Sequence, residues 1–198
     1  MRVADRMPSI LERLGVPIVI SGCGPMTRLG GGPTHPDVAS AMIEASNTCV
    51  DIWASQAAAC RAVARVTGAQ AGIVTAGASA AVLLGAAACL AGLGPGRMNR
   101  LPEVPFGRRD FIIVRGQRTM YDRGLVVTGA RLVEIGIPDR KSGPGVRDAD
   151  GWEIEDALGP NTAGIYYLAQ PRSPPALPVV TALARRHGIP VLVDAAAR

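Results

Sequence analysis

The sequence predicts an α/β fold built on a mainly parallel sheet. Three observations carry this. Short β-branched runs alternate with Ala-rich stretches of helical length along most of the chain. The joints between them carry Gly or Pro. Apolar residues make up 48 % of the 198 residues and charged residues 19 %, a balance that fits one folded core and excludes a disordered chain.

The elements follow in order. Residues 1–34 form an N-terminal segment ending in the Gly-rich run "TRLGGG", and residues 35–198 form the domain proper. The start "MRVADRMPSILERLG" contains acidic residues and no long apolar core, so it does not resemble a secretory signal, and the cytoplasm is the expected location. "HPDVASAMIEAS" (35–46) and "IWASQAAACRAVARVTG" (52–68) read as helices, the second stopped at Gly68. "AGIVT" (71–75) reads as a strand, "AGAS" as a turn and "AAVLLGAAACLAGLG" as a helix ending in Gly. "DFIIVRG" (110–116) is a strand, "YDRGLVVTG" (121–129) a short helix and "ARLVEIG" (130–136) a strand. "DGWEIEDALG" (150–159) is a helix with Asp150 at its cap and acids in its first turn. "TAGIYYLAQ" (162–170) is a strand, "ALPVVTALARRHG" (176–188) a helix and "IPVLVDAAA" (189–197) a strand entering a loop. The Gly/Pro-rich pieces 94–107 and 138–147 are loops within one domain, and the chain contains no internal repeat.

No charged residue occurs between Arg65 and Arg97. A run of that length invites a membrane span. However, its strongly membrane-favouring residues are few, at roughly −0.3 to −0.6 kcal/mol each, and glycines and hydroxyls oppose them. No aromatic belt flanks the run, and its pattern changes from β-branched to turn to helical. A strand, a tight turn and a helix buried on most sides account for the missing charge without a membrane.

Charge and cysteine usage exclude several other classes. The net charge of +5 is carried by scattered arginines, Lys141 being the only lysine, and no basic cluster is interleaved with aromatics, which argues against nucleic-acid binding. Cys23, Cys49, Cys60 and Cys89 show neither CxxC spacing nor pairing with histidine, so zinc ligation and a disulfide framework lack support. "DADG" (148–151) lacks the remaining ligands of a calcium loop. His35 and His187 accompany no nucleophile signature.

Ligands in parallel sheets bind beyond the C-terminal ends of the strands. Four candidate places stand there or near the N-terminus. Gly77-Ala78-Ser79 at a helix start offers free N–H groups and a positive dipole end to a phosphate, or is a plain βα turn. In Gln117-Arg118-Thr119-Met120-Tyr121-Asp122 the local reading is a solvated loop in which Arg118 pairs Asp122. Asp194 ends an apolar strand, where it could hold a cationic ring nitrogen or cap the next segment. Thr27 and Arg28 beside Gly30-Gly31-Gly32 could grip an anion or form a surface turn.

Taken in order, "SGCGPMTRLGGGPTHPDVASAMIEAS", "VDIWASQAAACRAVARVTGAQAGIVTAGASAAVLLGAAACLAG", "RLPE", "VRGQRTMYDRG" and "IPVLVDAAA" resemble the SelA-like branch of fold-type-I pyridoxal-phosphate enzymes. That branch contains L-seryl-tRNA(Sec) selenium transferase and the D-glucosaminate-6-phosphate ammonia-lyase type proteins. The likeness runs from about residue 17 to the last residue. It implies the three-layer large domain of that fold type, with pyridoxal 5′-phosphate as cofactor. It implies that Gly77, Ala78 and Ser79 cradle the phosphate, that Asp194 pairs with the pyridine nitrogen and that Ala196 packs near the ring. Gln117 stands where family members often carry a His over the ring face, and Gln cannot stack as well. Thr27, Arg28, Arg118 and Tyr121 would face substrate anions or a neighbouring subunit. The family's Schiff-base lysine lies some tens of residues beyond the "VDAAA" strand, and Lys141 is wrongly placed to replace it.

The resemblance therefore implies part of a lyase or transferase acting by elimination or a related reaction on a small amino acid or amino sugar. The large domain would be truncated before the C-terminal domain. Such a part would be inactive alone, would leave apolar surface bare and would belong to a homo-oligomer. No basic aromatic-rich module precedes the motifs, which favours a small-molecule substrate over seryl-tRNA(Sec). The reading from another class is a non-catalytic α/β module that binds a phosphorylated ligand or a partner subunit.

Overall fold

The structure is a computed structural model that describes residues 9–24, 26–105, 107–137, 149–171 and 173–196. Four strands, β1 (Asp110–Val114), β2 (Arg131–Ile135), β3 (Thr162–Leu168) and β4 (Val191–Asp194), form one sheet in the order β2-β1-β3-β4, with every neighbouring pair parallel. All residues of β1 and β3 are buried, as continuous apolar strands in the middle of a parallel sheet require. The edge strands β2 and β4 are only partly covered. At the N-terminal end of the sheet Arg131 clasps the Asp110 carboxylate through two hydrogen bonds, of 2.7 and 2.5 Å, tying β2 to β1.

Helices cover both faces and complete three layers. On one face lies α4 (Ala78–Ala91), whose Val82, Ala86 and Leu90 recur every fourth residue and pack on Phe111, Ile113 and Tyr166. Its close approach to β4 is set by Gly85, where an added Cβ would stand 2.7 Å from a Leu192 methyl. On the other face α7 (Gly151–Ala157) and α8 (Leu177–Arg186) bring Ile154, Val180, Leu183 and Ala184 onto Ile112, Ile165 and Tyr167. Short helices α5 (Pro95–Met98) and α6 (Arg123–Val126) complete the layer beside α4. α5 stands where the sequence suggested only loop, because Pro95 at its first turn and Arg97 in its last suit a single helical turn.

The N-terminal third is less enclosed. The helices α1 (Ile10–Arg13), α2 (Pro36–Ser46) and α3 (Ile52–Thr67) contain no buried residue. Asp51 caps α3 by accepting from Ala54 N–H at 2.7 Å, and Gly68 ends it at φ +72°. Two expectations fail here. The "AGIVT" run is not a strand, since no strand among the described residues lies alongside to pair with it. It is held instead by the Gln56 amide, which donates to Val74 O at 2.9 Å, and by Val63 packing against Gly72. The helix that follows is buried along one stripe, not on most sides, and Leu83 and Leu84 remain 36 % and 45 % exposed. Among the described residues no helix is long and apolar enough to cross a membrane. The loop read over 138–147 lies outside the described residues.

Candidate cofactor cradle

At the C-terminal end of β4 the carboxylate of Asp194 is buried on the face that carries α4. One oxygen, Oδ2, accepts from the Tyr166 hydroxyl at 2.9 Å, and the other, Oδ1, accepts from the Ala196 backbone N–H at 3.1 Å. Both donors are neutral, and among the described residues no cation is paired with Asp194. A buried carboxylate without a counter-ion favours a cationic ligand, since burying an isolated charge costs several kcal/mol. Burial, then the hydrogen bond to and the charge of Asp194, then the more distant Asp122, push the Tyr166 phenol well above its ordinary range, so it stays a donor.

The turn before α4 comes to the same end of the sheet. Gly77 adopts φ +112° and ψ 175°, a conformation essentially reserved for glycine, and an added Cβ there would meet nothing within 4 Å. No side chain caps this helix start, so the N–H groups of Ala78 and Ser79 point outward from a fourteen-residue helix. The Thr75 hydroxyl donates to Gly77 O at 2.9 Å and fixes the turn from behind. Ser79 and Tyr121 line one cavity together with Leu83, Met120 and Arg123.

The segment after β1 is a bracing structure. The Gln117 amide is buried, accepts Leu168 N–H at 3.0 Å and donates to Pro174 O at 3.1 Å, joining the ends of β1 and β3. Both ends of that amide are thereby engaged in holding backbone. Arg118 donates from Nε to buried Asp122 at 2.5 Å and from a terminal nitrogen to Glu134, and Arg115 meets Glu134 at 3.1 Å. The local reading of an Arg118–Asp122 pair is the one observed, and Arg118 is committed to two carboxylates. Thr27 and Arg28 sit in a tight turn, where Met26 and Gly31 bridge and Gly30 and Gly31 have φ +75° and +87°. The backbone hydrogen bonds of that turn stay within residues 26–31. Lys141 lies outside the described residues, and no metal-binding cluster occurs among the described ones.

Tyr166 belongs to the site and was not singled out by sequence reasoning, whereas Asp122 was read there only as the partner of Arg118. The alternation in "GIYYL" does place the two tyrosines on opposite faces. That Tyr166 is the one facing Asp194 depends on the β3–β4 register, where Leu168 stands opposite Asp194.

These features define a three-layer α/β domain with a parallel sheet and a buried carboxylate and an open helix start at its C-terminal edge. The particular fold is that of D-glucosaminate-6-phosphate ammonia-lyase. A solved structure of that protein matches with a TM-score of 0.87 at 27 % identity, over 98 % of this chain and 52 % of that one. In sequence, D-glucosaminate-6-phosphate ammonia lyase of Salmonella typhimurium (strain 14028s / SGSC 2262) is 28 % identical over 96 % of this chain and 52 % of its own length. A 5'-C-glycyluridine monooxygenase-decarboxylase of Streptomyces sp is 29 % identical over 93 % of this chain and 47 % of its own. The chain is a relative of this ammonia lyase, as the resemblance in its motifs implied, and spans about half the length of the curated relatives it matches. No protein-family model matches it.

Proposed function

We propose that this chain forms the cofactor cradle of a pyridoxal-phosphate-dependent lyase that acts by elimination on a small amino acid or amino sugar. The observation that carries the reading is Asp194, a buried carboxylate held by two neutral donors with no cation among the described residues. A protonated pyridine nitrogen fits that place in charge and in hydrogen-bonding sense. The open N–H groups of Ala78 and Ser79 suit the phosphate of the same molecule. When bound, pyridoxal phosphate supplies an electron sink for negative charge developing beside the substrate amine. Asp194 holds the ring proton, Ala196 orients that carboxylate through its N–H, and Gln117 fixes the ends of β1 and β3 beneath the cradle. Tyr121 is exposed and shares a cavity with Ser79, which supports a role in meeting substrate.

The reading gives no proton-transfer role to Lys141, the only lysine of the sequence. It also assigns the large exposed apolar side chains of the N-terminal third to contacts between subunits.

Titrating the purified chain with pyridoxal 5′-phosphate, followed by absorbance and thermal unfolding, tests the reading. Stabilisation of about 2–3 kcal/mol is expected at roughly a hundredfold excess over Kd. It should be lost in Asp194→Ala and weakened in Ser79→Ala, with no borohydride-stable adduct accompanied by turnover at Lys141. Absence of any stabilisation of the unaltered chain defeats the cradle.

A further inference from the structure

We infer that Tyr166 is the positioning residue of the cradle: its phenol locks the Asp194 carboxylate in the orientation that receives a ring N–H. The inference rests on the cofactor reading above and adds a residue that the motifs do not assign.

The geometry is specific. Tyr166 projects from the middle of β3, only 1 % exposed, with its ring packed among α4 and β1 side chains. Its hydroxyl reaches diagonally across to the last residue of β4 and donates to Oδ2 at 2.9 Å. The Ala196 N–H holds Oδ1 at 3.1 Å, so each oxygen has one fixed donor and a further lone pair free. A carboxylate pinned at both oxygens cannot rotate about its Cβ–Cγ bond. Its remaining acceptor directions are therefore set before any ligand arrives.

The charge environment supports the same assignment. Two buried carboxylates, Asp122 and Asp194, act on the Tyr166 phenol. Asp122 already has its cation, since Arg118 donates to both of its oxygens, at 2.5 and 3.4 Å, and it also accepts Thr119 N–H at 3.2 Å. Among the described residues Asp194 has only the phenol and a backbone amide. Tyr166 thus tethers that carboxylate with a neutral donor and adds no positive charge beside it, so the place remains suited to an incoming cation. A lysine or arginine in its place would cancel that charge. Phenylalanine would leave it held at Oδ1 alone.

The test uses the 198-residue chain with pyridoxine 5′-phosphate, whose alcohol cannot condense with amines and whose near-ultraviolet spectrum separates ring-protonated from unprotonated forms. In the ligand-free chain, proton NMR should reveal a slowly exchanging Tyr166 hydroxyl resonance, absent in Y166F and displaced in D194N. The unaltered chain should bind the probe with its ring nitrogen protonated. Y166F, a fold-preserving change to be checked by circular dichroism, should bind about tenfold more weakly and shift the probe toward the unprotonated form. In the D194N background the Tyr166→Phe change should have no further effect, which separates action through Asp194 from a general loss of packing. Equal weakening in both backgrounds, an unchanged probe spectrum in Y166F, or absence of the hydroxyl signature overturns the inference alone. Failure of the unaltered chain to bind the probe overturns the cradle reading and this inference together.

Discussion

Asp122 is one of the most deeply buried charges in the chain, and Arg118 is its counter-ion. Removing that cation leaves a carboxylate dehydrated and unpaired, a change that costs 3–5 kcal/mol where both partners are fully buried. The Arg118 side chain is 35 % exposed, so Arg118→Ala should destabilise the fold by about 2 kcal/mol, measured by urea denaturation. Asp122→Asn combined with it should recover part of the loss. This pair was legible in the sequence from its i,i+4 spacing alone. Gln117 was not, because the backbone groups it braces, at Leu168 and Pro174, lie far along the chain and no local pattern announces them. Tyr166 gives a pH dependence of definite sign. Its phenol ionises well above the ordinary value of about 10, so the unfolded chain loses that proton first. The stabilisation is whole below about pH 10 and is lost as pH rises through the folded-state value. Unfolding free energies measured across alkaline pH should fall less steeply in Tyr166→Phe.

Three glycines in or beside helices show what different neighbours do to the same substitution. At Gly129, just before β2, φ is +89° and an added Cβ would stand 1.8 Å from the Pro102 carbonyl oxygen. Backbone cannot yield there, and Gly129→Ala should cost roughly 3 kcal/mol or more by overpacking and strain combined. At Gly85 the obstacle is the tip of Leu192, which can rotate, and alanine gains about 1 kcal/mol of helix propensity. Gly85→Ala should therefore lie within about 1 kcal/mol of the unaltered chain in the same denaturation assay, with opposing terms nearly cancelling. Gly77 has open space but a backbone reserved to glycine, so alanine there strains the turn without a clash. Element existence was legible for β1, β3, α3 and α8 because each has a continuous pattern and a clear stop. The run at 71–75 has the right residues for a strand and lacks a strand partner among the described residues. Pairing is a property of two segments, and a single segment cannot reveal it.

Across the whole molecule, enclosure is uneven. The sheet centre is sealed, while Ile20, Trp53 and Leu93 are 95 %, 81 % and 94 % exposed, and the helices before residue 68 bury no side chain. Apolar surface on that scale marks contact sites. The chain should associate at micromolar concentration in sedimentation velocity, and Trp53→Ser with Leu93→Ser should return it toward the monomer. The resemblance led us to expect bare surface where the sheet would meet the rest of the family's domain, whereas the large exposed apolar side chains lie mainly in the N-terminal third. The strand order carries a different consequence. β1 pairs with β3 across roughly fifty intervening residues, and the cradle needs β4 further on. Closing so long a loop before any central ladder bond forms is slow. On the ribosome, β1 and β2 can meet early as a two-stranded edge, but α4 has no completed floor until β4 (Val191–Asp194) has left the tunnel. Until then the uncharged helix is an unsheltered apolar segment, and its exposure time during synthesis, more than its final stability, sets the demand on chaperones.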